Sequence, residues 1–405
     1  METLYQLLIS TKTDTSVGRW LGPVPDWGLR AVAIVVPVVL ILAVFLTLFA
    51  FLTWVERKTL GRIQNRLGPN RVGPIGLFQP IADGLKILLK EDIVPRGADA
   101  LCHFLAPVLF LPVPLMLFAV LPIGRGLIAV DLNIGILFVF AVGSASVLAL
   151  FMGGWASRNK FSLLGAMRSV AQIVSYEVPT VLAALVVLMA VSAAGKHGVG
   201  SLSTVSIVEA QAGGRVNISG WFIFQPWGLV GFILFFIGTL AESARTPFDL
   251  PEAESEIVAG YHTEYSGFKF ALFQMGEYLV MIAMSGFTVT MFLGGYLGPG
   301  VDLPRVGWLW SIFWFFAKLA VMIFIVILVR GTWPRVRVDQ LMGFAWKMLL
   351  PMALVNIVAF GLWFYLGLGA LGWFVSAAVL IVAFALLTRG GASAQLDKRT
   401  YRYSN

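Results

Sequence analysis

Nine apolar segments, each long enough to cross a lipid bilayer as a helix, constrain this sequence more than any other feature. A spanning helix needs about 20 consecutive apolar residues. Polar or charged connectors separate most of the segments, which fall between residues 31 and 388. They cover residues 31–54, 103–123, 134–154, 174–194, 222–241, 270–293, 308–329, 349–368 and 372–388. This pattern predicts a polytopic integral membrane protein.

The predicted fold class is all-α, because helices alone satisfy their backbone hydrogen bonds within each segment of an unclosed chain in lipid. The composition agrees, with 59% hydrophobic residues, 12% charged residues and a mean hydropathy of +0.87. We therefore expect a single transmembrane helical domain over residues 31–388, with about nine helices. The last two segments are separated only by Gly369–Leu371, which predicts a tight hairpin or a re-entrant segment.

The basic residues predict the orientation. With the N-terminus outside, 21 of the 29 lysines and arginines fall in connectors on the cytoplasmic side, seven fall outside, and Lys318 lies within a segment. Only this orientation follows the positive-inside rule. The net charge of +8 is thus mostly a topology signal, and nucleic-acid binding is not needed to explain it.

The two ends of the chain are expected to lie on opposite sides of the membrane. Residues 1–30 are predicted to form an extracytoplasmic segment, and residues 389–405 a polar cytoplasmic tail. Glu2 stands where a signal peptide would carry positive charge, and the first apolar segment is too long for the apolar region of such a peptide.

The connector at residues 57–99 contains a predicted amphipathic helix that begins near Pro80. Ile81, Leu85, Leu88 and Leu89 recur at helical spacing, whereas Asp83, Lys86 and Lys90 occupy the other face. The helix is too short to span, so it should lie in the membrane interface. It is either a peripheral anchor or the wall of a cavity open to lipid, with Asp83 and Lys86 turned inward.

The connector at residues 242–269 is unusually acidic. It carries six carboxylates against one arginine, Arg245. The carboxylates are Glu242, Asp249, Glu252, Glu254, Glu256 and Glu264. Pro247 and Pro251 prevent a single helix from running through it. Acidic side chains near a bilayer are costly unless they find partners or line a wet cavity, so the connector is either a solvated loop or part of a site.

Ionisable residues also occur within the apolar segments. Glu177 lies near the inner end of the fourth segment, Glu242 ends the fifth, Glu277 lies inside the sixth and Lys318 inside the seventh. Such residues should face the protein interior, where they pair or change protonation. Glu56, at the inner boundary of the first segment, is interpreted as an interfacial cap or a functional group.

A basic segment lies on the same side of the membrane as the acidic connector. Arg335 and Arg337 alternate with apolar residues, so an extended backbone would place both on one face, and Asp339 follows. We assign Arg335, Arg337 and Asp339 to structural ion pairing, with the acidic connector as the expected partner.

The sequence offers no redox centre of its own. Its single cysteine, Cys102, excludes an intrachain disulfide and an iron–sulfur cluster, which needs several thiolates. His103, His197 and His262 lack metal-ligand spacing. We therefore expect that this chain binds no metal and no cofactor.

Four blocks of sequence resemble one known family, the H subunits of the proton-translocating NADH–quinone oxidoreductase, respiratory complex I, to which mitochondrial NADH dehydrogenase subunit 1 also belongs. The blocks are ERKTLGRIQNRLGPNRVGPIGLFQPIADGLKILLKED from Glu56, GAMRSVAQIVSYEVP from Gly165, AESARTPFDLPEAESEIVAGYHTEY from Ala241 and RGTWPRVRVDQLMGFAWK from Arg330. The family core has eight helices, so the ninth, C-terminal helix is a departure.

The resemblance implies a bacterial plasma-membrane subunit that supplies the membrane part of a quinone chamber and links it to proton pumps. The implied chamber residues are Arg57, Asp83, Lys86, Arg245, Asp249, Glu252, Glu254 and Glu256. Glu177, Glu242 and Glu277 would form a proton path. Ubiquinone or menaquinone would be a substrate, and FMN and iron–sulfur clusters would lie on partner subunits.

The implied partners are the quinone-site and terminal iron–sulfur cluster subunits of the peripheral arm, on the cytoplasmic face, and the small and antiporter-like subunits of the membrane arm. Two alternatives stay open at this point. One is the related membrane subunit of an energy-converting hydrogenase. The other is a solute carrier acting alone, although the internal repeat expected of such a carrier is not evident.

Overall fold

The chain folds into a bundle of apolar helices, seen in a computed structural model that describes residues 26–194, 201–212, 220–250, 257–303, 306–366 and 369–394. Within these ranges, seven helices are long and apolar enough to cross a membrane. Two shorter apolar helices, Pro226–Glu242 and Gly372–Thr388, complete the series. All nine follow the order of the predicted segments, which confirms the all-α polytopic fold class.

Thirteen α-helices follow one another in chain order over the described ranges. They are α1 (Asp26–Ile63), α2 (Gln79–Leu88), α3 (Ala100–Phe110), α4 (Pro112–Ala119), α5 (Gly135–Ala156), α6 (Lys160–Ala194), α7 (Thr204–Gln211), α8 (Pro226–Glu242), α9 (Gly267–Phe292), α10 (Gly307–Thr332), α11 (Val338–Phe344), α12 (Leu350–Leu366) and α13 (Gly369–Ala394). A π-helical turn, Ala345–Leu349, joins α11 to α12. We call the end of the bundle where α1, α8 and α10 finish the connector end.

Several boundaries differ from the prediction. α1 runs from Asp26 to Ile63, so it takes in the end of the predicted N-terminal segment and the start of the predicted 57–99 connector. α13 continues to Ala394, six residues into the predicted tail. Each helix continues past its apolar stretch into polar residues, and α13 does so through Gly390 and Gly391.

The second segment contains Pro107, Pro112 and Pro114, which predict a kink, and the structure has a break within it. α3 ends at Phe110, and Pro112 occupies the first turn of α4, where its missing N–H leaves no helical bond unmade. Residues 195–221 are rich in glycine and serine, which predicts an ordinary loop. They instead contain α7, whose N-cap Ser203 accepts a hydrogen bond from the backbone N–H of Val205. Ile207 is fully buried, so tertiary packing stabilises a helix too short to be stable alone.

The fourth segment begins earlier than predicted. Residues 160–173 continue α6 towards the connector end instead of forming a basic loop. Ala166 and Ile173 are buried on this extension, and the Ser162 hydroxyl donates a hydrogen bond to the carbonyl of Tyr261. Burial of this face therefore stabilises the helix, although the stretch also contains polar and basic residues.

α9 lies at the centre of the bundle. Its residues from Leu279 to Phe292 are buried throughout, including Ser285, Thr288 and Thr290. Close helix contact next to it depends on small residues: a Cβ on Gly238 of α8 would lie 1.9 Å from Oγ1 of Thr180 on α6. This packing fixes which faces of α6, α8 and α9 point at each other.

Lys318 of α10 is buried at the end of the bundle opposite the connectors. Its ammonium donates to the backbone carbonyls of Leu293 at 2.6 Å, Gly295 at 2.9 Å and Leu297 at 2.6 Å. It also lies 3.9 Å from the ring centroid of Trp221. The lysine thus faces the interior as expected, but its hydrogen-bond partners are carbonyls at the C-terminal end of α9 and in the turn that follows.

Candidate functional site

A buried cluster of charges lies where α1, α8 and α10 meet at the connector end. Glu56 of α1 contacts Arg330 of α10 and lies 3.7 Å from the guanidinium of Arg245, which follows α8. Tyr278 of α9 donates a hydrogen bond to Glu56, and its ring lies 4.0 Å below the guanidinium of Arg245. The Glu56 and Arg245 side chains are only 5% and 7% exposed, so water screens their interaction weakly.

Asp83 lies beside this cluster on α2. Arg57 donates to its carboxylate at 2.5 Å, Gln79 at 3.0 Å, and Lys86 lies 3.6 Å away. Partial burial by itself would raise the pKa of Asp83, but the hydrogen bonds from Arg57 and Gln79 and the two positive charges outweigh it and lower the pKa. Asp83 is therefore ionised at neutral pH, and it ties α2 to the end of α1.

The other face of α2 is apolar and exposed, as the sequence pattern predicts. Ile81, Leu85 and Leu88 are all more than half exposed. Asp83 contacts Arg57 of α1, whereas Lys86 is 76% exposed, so the prediction that both side chains turn inward is correct for Asp83 alone. An amphipathic helix with an outward apolar face suits the membrane interface. α2 therefore has exposed apolar side chains on one side and the Arg57–Asp83 pair on the other.

The start of the acidic connector is fixed by the basic segment that follows α10. The guanidinium of Arg335 donates to the buried carboxylate of Asp249 at 3.0 Å, and the backbone N–H of Val336 donates to the carbonyl of Pro247 at 3.1 Å. Arg337 caps α11 and Asp339 lies in its first turn; neither shows an ion pair among the described residues. Glu252, Glu254 and Glu256 lie outside the described residues, so their pairing stays a prediction.

The three membrane carboxylates form a row inside the bundle. Glu177 of α6 accepts a hydrogen bond from Ser144 of α5. Glu242, at the end of α8, is close enough to Glu177 for their charges to interact. A Cβ at position 143 would lie 3.3 Å from Oε1 of Glu242, so Gly143 leaves room for that carboxylate.

A small cavity joins Glu242 to the third carboxylate, Glu277 of α9. Its volume is about 20 Å³, and Ser146, Ser169 and Tyr261 also line it. The Tyr261 hydroxyl donates to Glu277. A volume of this size holds one water molecule, and the polar groups around it supply enough partners to bind one.

α9 connects the row to the charged cluster, because Glu277 and Tyr278 are consecutive. Glu277 faces the cavity, whereas Tyr278 contacts Glu56 and Arg245. Successive residues of a helix point about 100° apart, so one helix can serve two neighbouring sites. Consecutive residues of α9 thus contact the charged cluster and the cavity.

Sequence reasoning did not assign Arg330, Tyr278 or Tyr261 to the site, and it treated Glu56 as a cap as readily as a functional group. Glu56 and Arg330 are 274 positions apart in sequence. One sequence signal could have identified this pair: Glu56 and Arg330 are the first residues of two of the four blocks that resemble the known family. Within the described part of the chain, there is no group of three or more His, Cys, Asp and Glu side chains arranged to hold a metal ion.

Comparison with known proteins gives one consistent result. The family described as NADH dehydrogenase matches residues 36–361. The H subunit of NADH-quinone oxidoreductase from Dehalococcoides mccartyi (strain CBDB1) is 50% identical over 306 residues, which cover 75% of this chain and 79% of that protein. The proteins of the same name from Rhodospirillum rubrum and Thermomicrobium roseum are 43% identical over 341 residues and 45% identical over 360 residues. These alignments cover 84% and 85% of this chain, and 94% and 100% of the relatives.

Proposed function

Because this chain belongs to the NADH dehydrogenase family and is a membrane subunit of an NADH–quinone oxidoreductase, we propose that it forms the lipid-facing part of the quinone-binding chamber and couples quinone reduction to proton translocation. It is a bacterial membrane protein that assembles with other subunits of that enzyme. The names of these relatives favour this function over a hydrogenase subunit or a solute carrier.

The chamber is proposed to open beside α2. A quinone carries a long apolar tail and a polar head, and the apolar face of α2 next to the Arg57–Asp83 pair suits both parts. The head would move towards Arg245 and Asp249, and Glu252, Glu254 and Glu256 would complete the chamber. Lys86, 76% exposed beside Asp83, would lie at its mouth.

The row of carboxylates supports the coupling. Reduction of a quinone consumes protons, so it changes the charge at the chamber. The buried contacts of Arg245 with Glu56 and Tyr278 would transmit that change to Glu277. Glu277, the cavity, Glu242 and Glu177 would then pass it away from the chamber by protonation. The single observation that carries this proposal is the continuity of the row with the charged cluster through α9.

Electrons would reach the quinone from partner subunits. We propose that FMN and iron–sulfur clusters lie on those partners and that this chain binds no cofactor. The quinone-site and terminal iron–sulfur cluster subunits would contact the connector end, and small and antiporter-like subunits would contact the helices that carry the row. The cytoplasmic side would be the connector end, with the N-terminus outside.

The test is to replace Glu242 or Glu277 with glutamine, which preserves size and hydrogen bonding but cannot ionise. Quinone reduction and proton pumping should fall together in membrane vesicles, while electron transfer from NADH to an artificial acceptor that bypasses the quinone stays normal. Asp83→Asn should chiefly raise the apparent KM for quinone. Glu91→Gln, at an exposed position, serves as the matched control. Normal pumping by both Glu242→Gln and Glu277→Gln would exclude the proposed path.

A further inference from the structure

A second cavity lies at the end of the bundle opposite the connector end, far from the proposed chamber. It has a volume of about 350 Å³, which is within the range of small-ligand pockets. Three separate parts of the chain form it: the segment between α4 and α5, the helix α7, and the turn after α9. The proposed function uses none of these parts.

The charged side chains around this cavity are mostly acidic. Among the described residues that line it, Asp131, Glu209 and Asp302 stand against one positive charge, Arg125. Arg125 and Asp302 lie 3.8 Å apart, and both are about two-thirds exposed, so their pairing is loose. Asp131 accepts one hydrogen bond, from Ser203. The Glu209 side chain has no hydrogen bond or ion pair among the described residues, and the described lining of the cavity carries an excess of negative charge.

Tyr296 adds a polar group that lacks a partner. The residue is only 5% exposed and lines the cavity, and no hydrogen bond to its hydroxyl occurs within the described ranges. Burial, and after it the negative charge of Glu209, raises the pKa of Tyr296, so the hydroxyl keeps its proton. Because Tyr296 lines the cavity, its hydroxyl can form a hydrogen bond with a ligand group that enters.

The walls of the cavity are rigidly tied together. Lys318 holds the carbonyls of the turn after α9, as described above, and this turn carries Tyr296. Gln211 of α7 donates to the carbonyl of Thr290 and accepts from the N–H of Gly294, both at 2.9 Å. The acidic groups are thus held in place before any ligand arrives, which lowers the entropic cost of binding.

We propose that this acidic cavity is the docking site for a basic side chain, lysine or arginine, carried by a loop of another subunit of the assembled enzyme. A guanidinium or ammonium group offers several N–H donors, and these match the carboxylates of Glu209 and Asp131 and the hydroxyl of Tyr296. The phosphate of a lipid headgroup would meet the same carboxylates and be repelled. The volume exceeds that of one side chain, so part of the loop enters with it.

The test uses the whole enzyme in its native membrane, with the photo-crosslinking residue p-benzoyl-phenylalanine at Ile128, a residue that lines the cavity. Irradiation should join this chain to one other subunit, identified by mass spectrometry of the crosslinked peptide. Changing Glu209→Gln together with Asp131→Asn should lower the crosslink yield about tenfold, as expected for the loss of charge-assisted hydrogen bonds. Tyr296→Phe, which alters a single hydroxyl, should lower it by a smaller factor.

The control is the same photo-crosslinker at Trp308, an exposed residue in the first turn of α10 that does not line the cavity; it should label lipid. Subunit content and electron transfer from NADH to an artificial acceptor verify that each variant assembles. Crosslinks from Ile128 only to lipid, only within this chain, or to nothing would overturn the proposal. A yield that does not change in the Glu209→Gln, Asp131→Asn variant or in Tyr296→Phe would overturn it as well.

Discussion

Replacing Glu56 with glutamine tests whether the buried cluster is held together by charge. The substitution leaves Arg245, 7% exposed, next to a neutral side chain. A pair of charges 3.7 Å apart interacts by about 4 kcal/mol at the effective dielectric constant of about 20 that suits protein sites. Removing one partner of a buried pair costs about 3–5 kcal/mol, mainly because the other charge stays buried.

Arg330 contributes less to this cost. Its side chain is 32% exposed, so water screens its interaction with Glu56, and we assign it about 1 kcal/mol. The glutamine still accepts hydrogen bonds from Tyr278 and Arg330, which recovers part of the loss. The expected destabilisation is therefore about 3–4 kcal/mol. For a chain of 405 residues, that corresponds to a fall of roughly 4–5 °C in the midpoint temperature.

The assay heats the purified enzyme in lipid nanodiscs and measures the fraction of this chain that resists a brief pulse of protease. The double variant Glu56→Gln, Arg245→Met removes both buried charges, so it should lose about 2–3 kcal/mol less than the two single variants added together. Glu91→Gln, at an exposed position, should leave the midpoint unchanged. A Glu56→Gln midpoint within about 1 °C of the wild type, or strictly additive losses, would refute the electrostatic account.

Three further predictions concern single contacts. Gly238→Ala should prevent α6 and α8 from packing and so reduce the amount of assembled enzyme in the membrane. Gly361→Ala, where a Cβ has open space, should leave that amount unchanged. Equal amounts of assembled enzyme in the two variants would contradict the packing. Lys318→Met should cost about 3 kcal/mol or more in the protease assay, since three carbonyls lose their donor, and an unchanged midpoint would contradict that role. The pKa of Asp83 is lowered, so its contact with Arg57 is complete above about pH 4 and is lost as the pH falls through the lowered value. The distance between spin labels on α1 and α2 should therefore increase in acid. Asp83→Asn should abolish this pH dependence.

Much of the architecture was predictable because the signals were local. Apolar length identified all nine helical segments, prolines predicted the break between α3 and α4, and helical spacing predicted α2 with its apolar and charged faces. α7 and the early start of α6 were missed because each is stabilised by burial against distant helices. Local sequence preferences do not contain that contribution.

The candidate site was only partly predictable. The carboxylates within apolar segments were easy to identify, because exposing an ionisable group to lipid is costly for any rotation of the helix about its axis. Their partners were not: Ser144 for Glu177, Tyr261 for Glu277 and backbone carbonyls for Lys318 emerge only when the helices are placed side by side. The predicted pairing of the basic segment with the acidic connector has one instance in the described residues, Arg335 with Asp249.

The sequence by itself determined that this protein is a helical membrane protein and which segments are apolar enough to cross the bilayer, since these follow from the transfer of side chains between water and lipid. Only the tertiary structure decided which helices are neighbours and how each is rotated. Those choices depend on packing between residues far apart in the chain, such as Gly238 against Thr180. They bring Glu56, Arg245 and Arg330 into one cluster, and they place Glu242 and Glu277 on the same cavity.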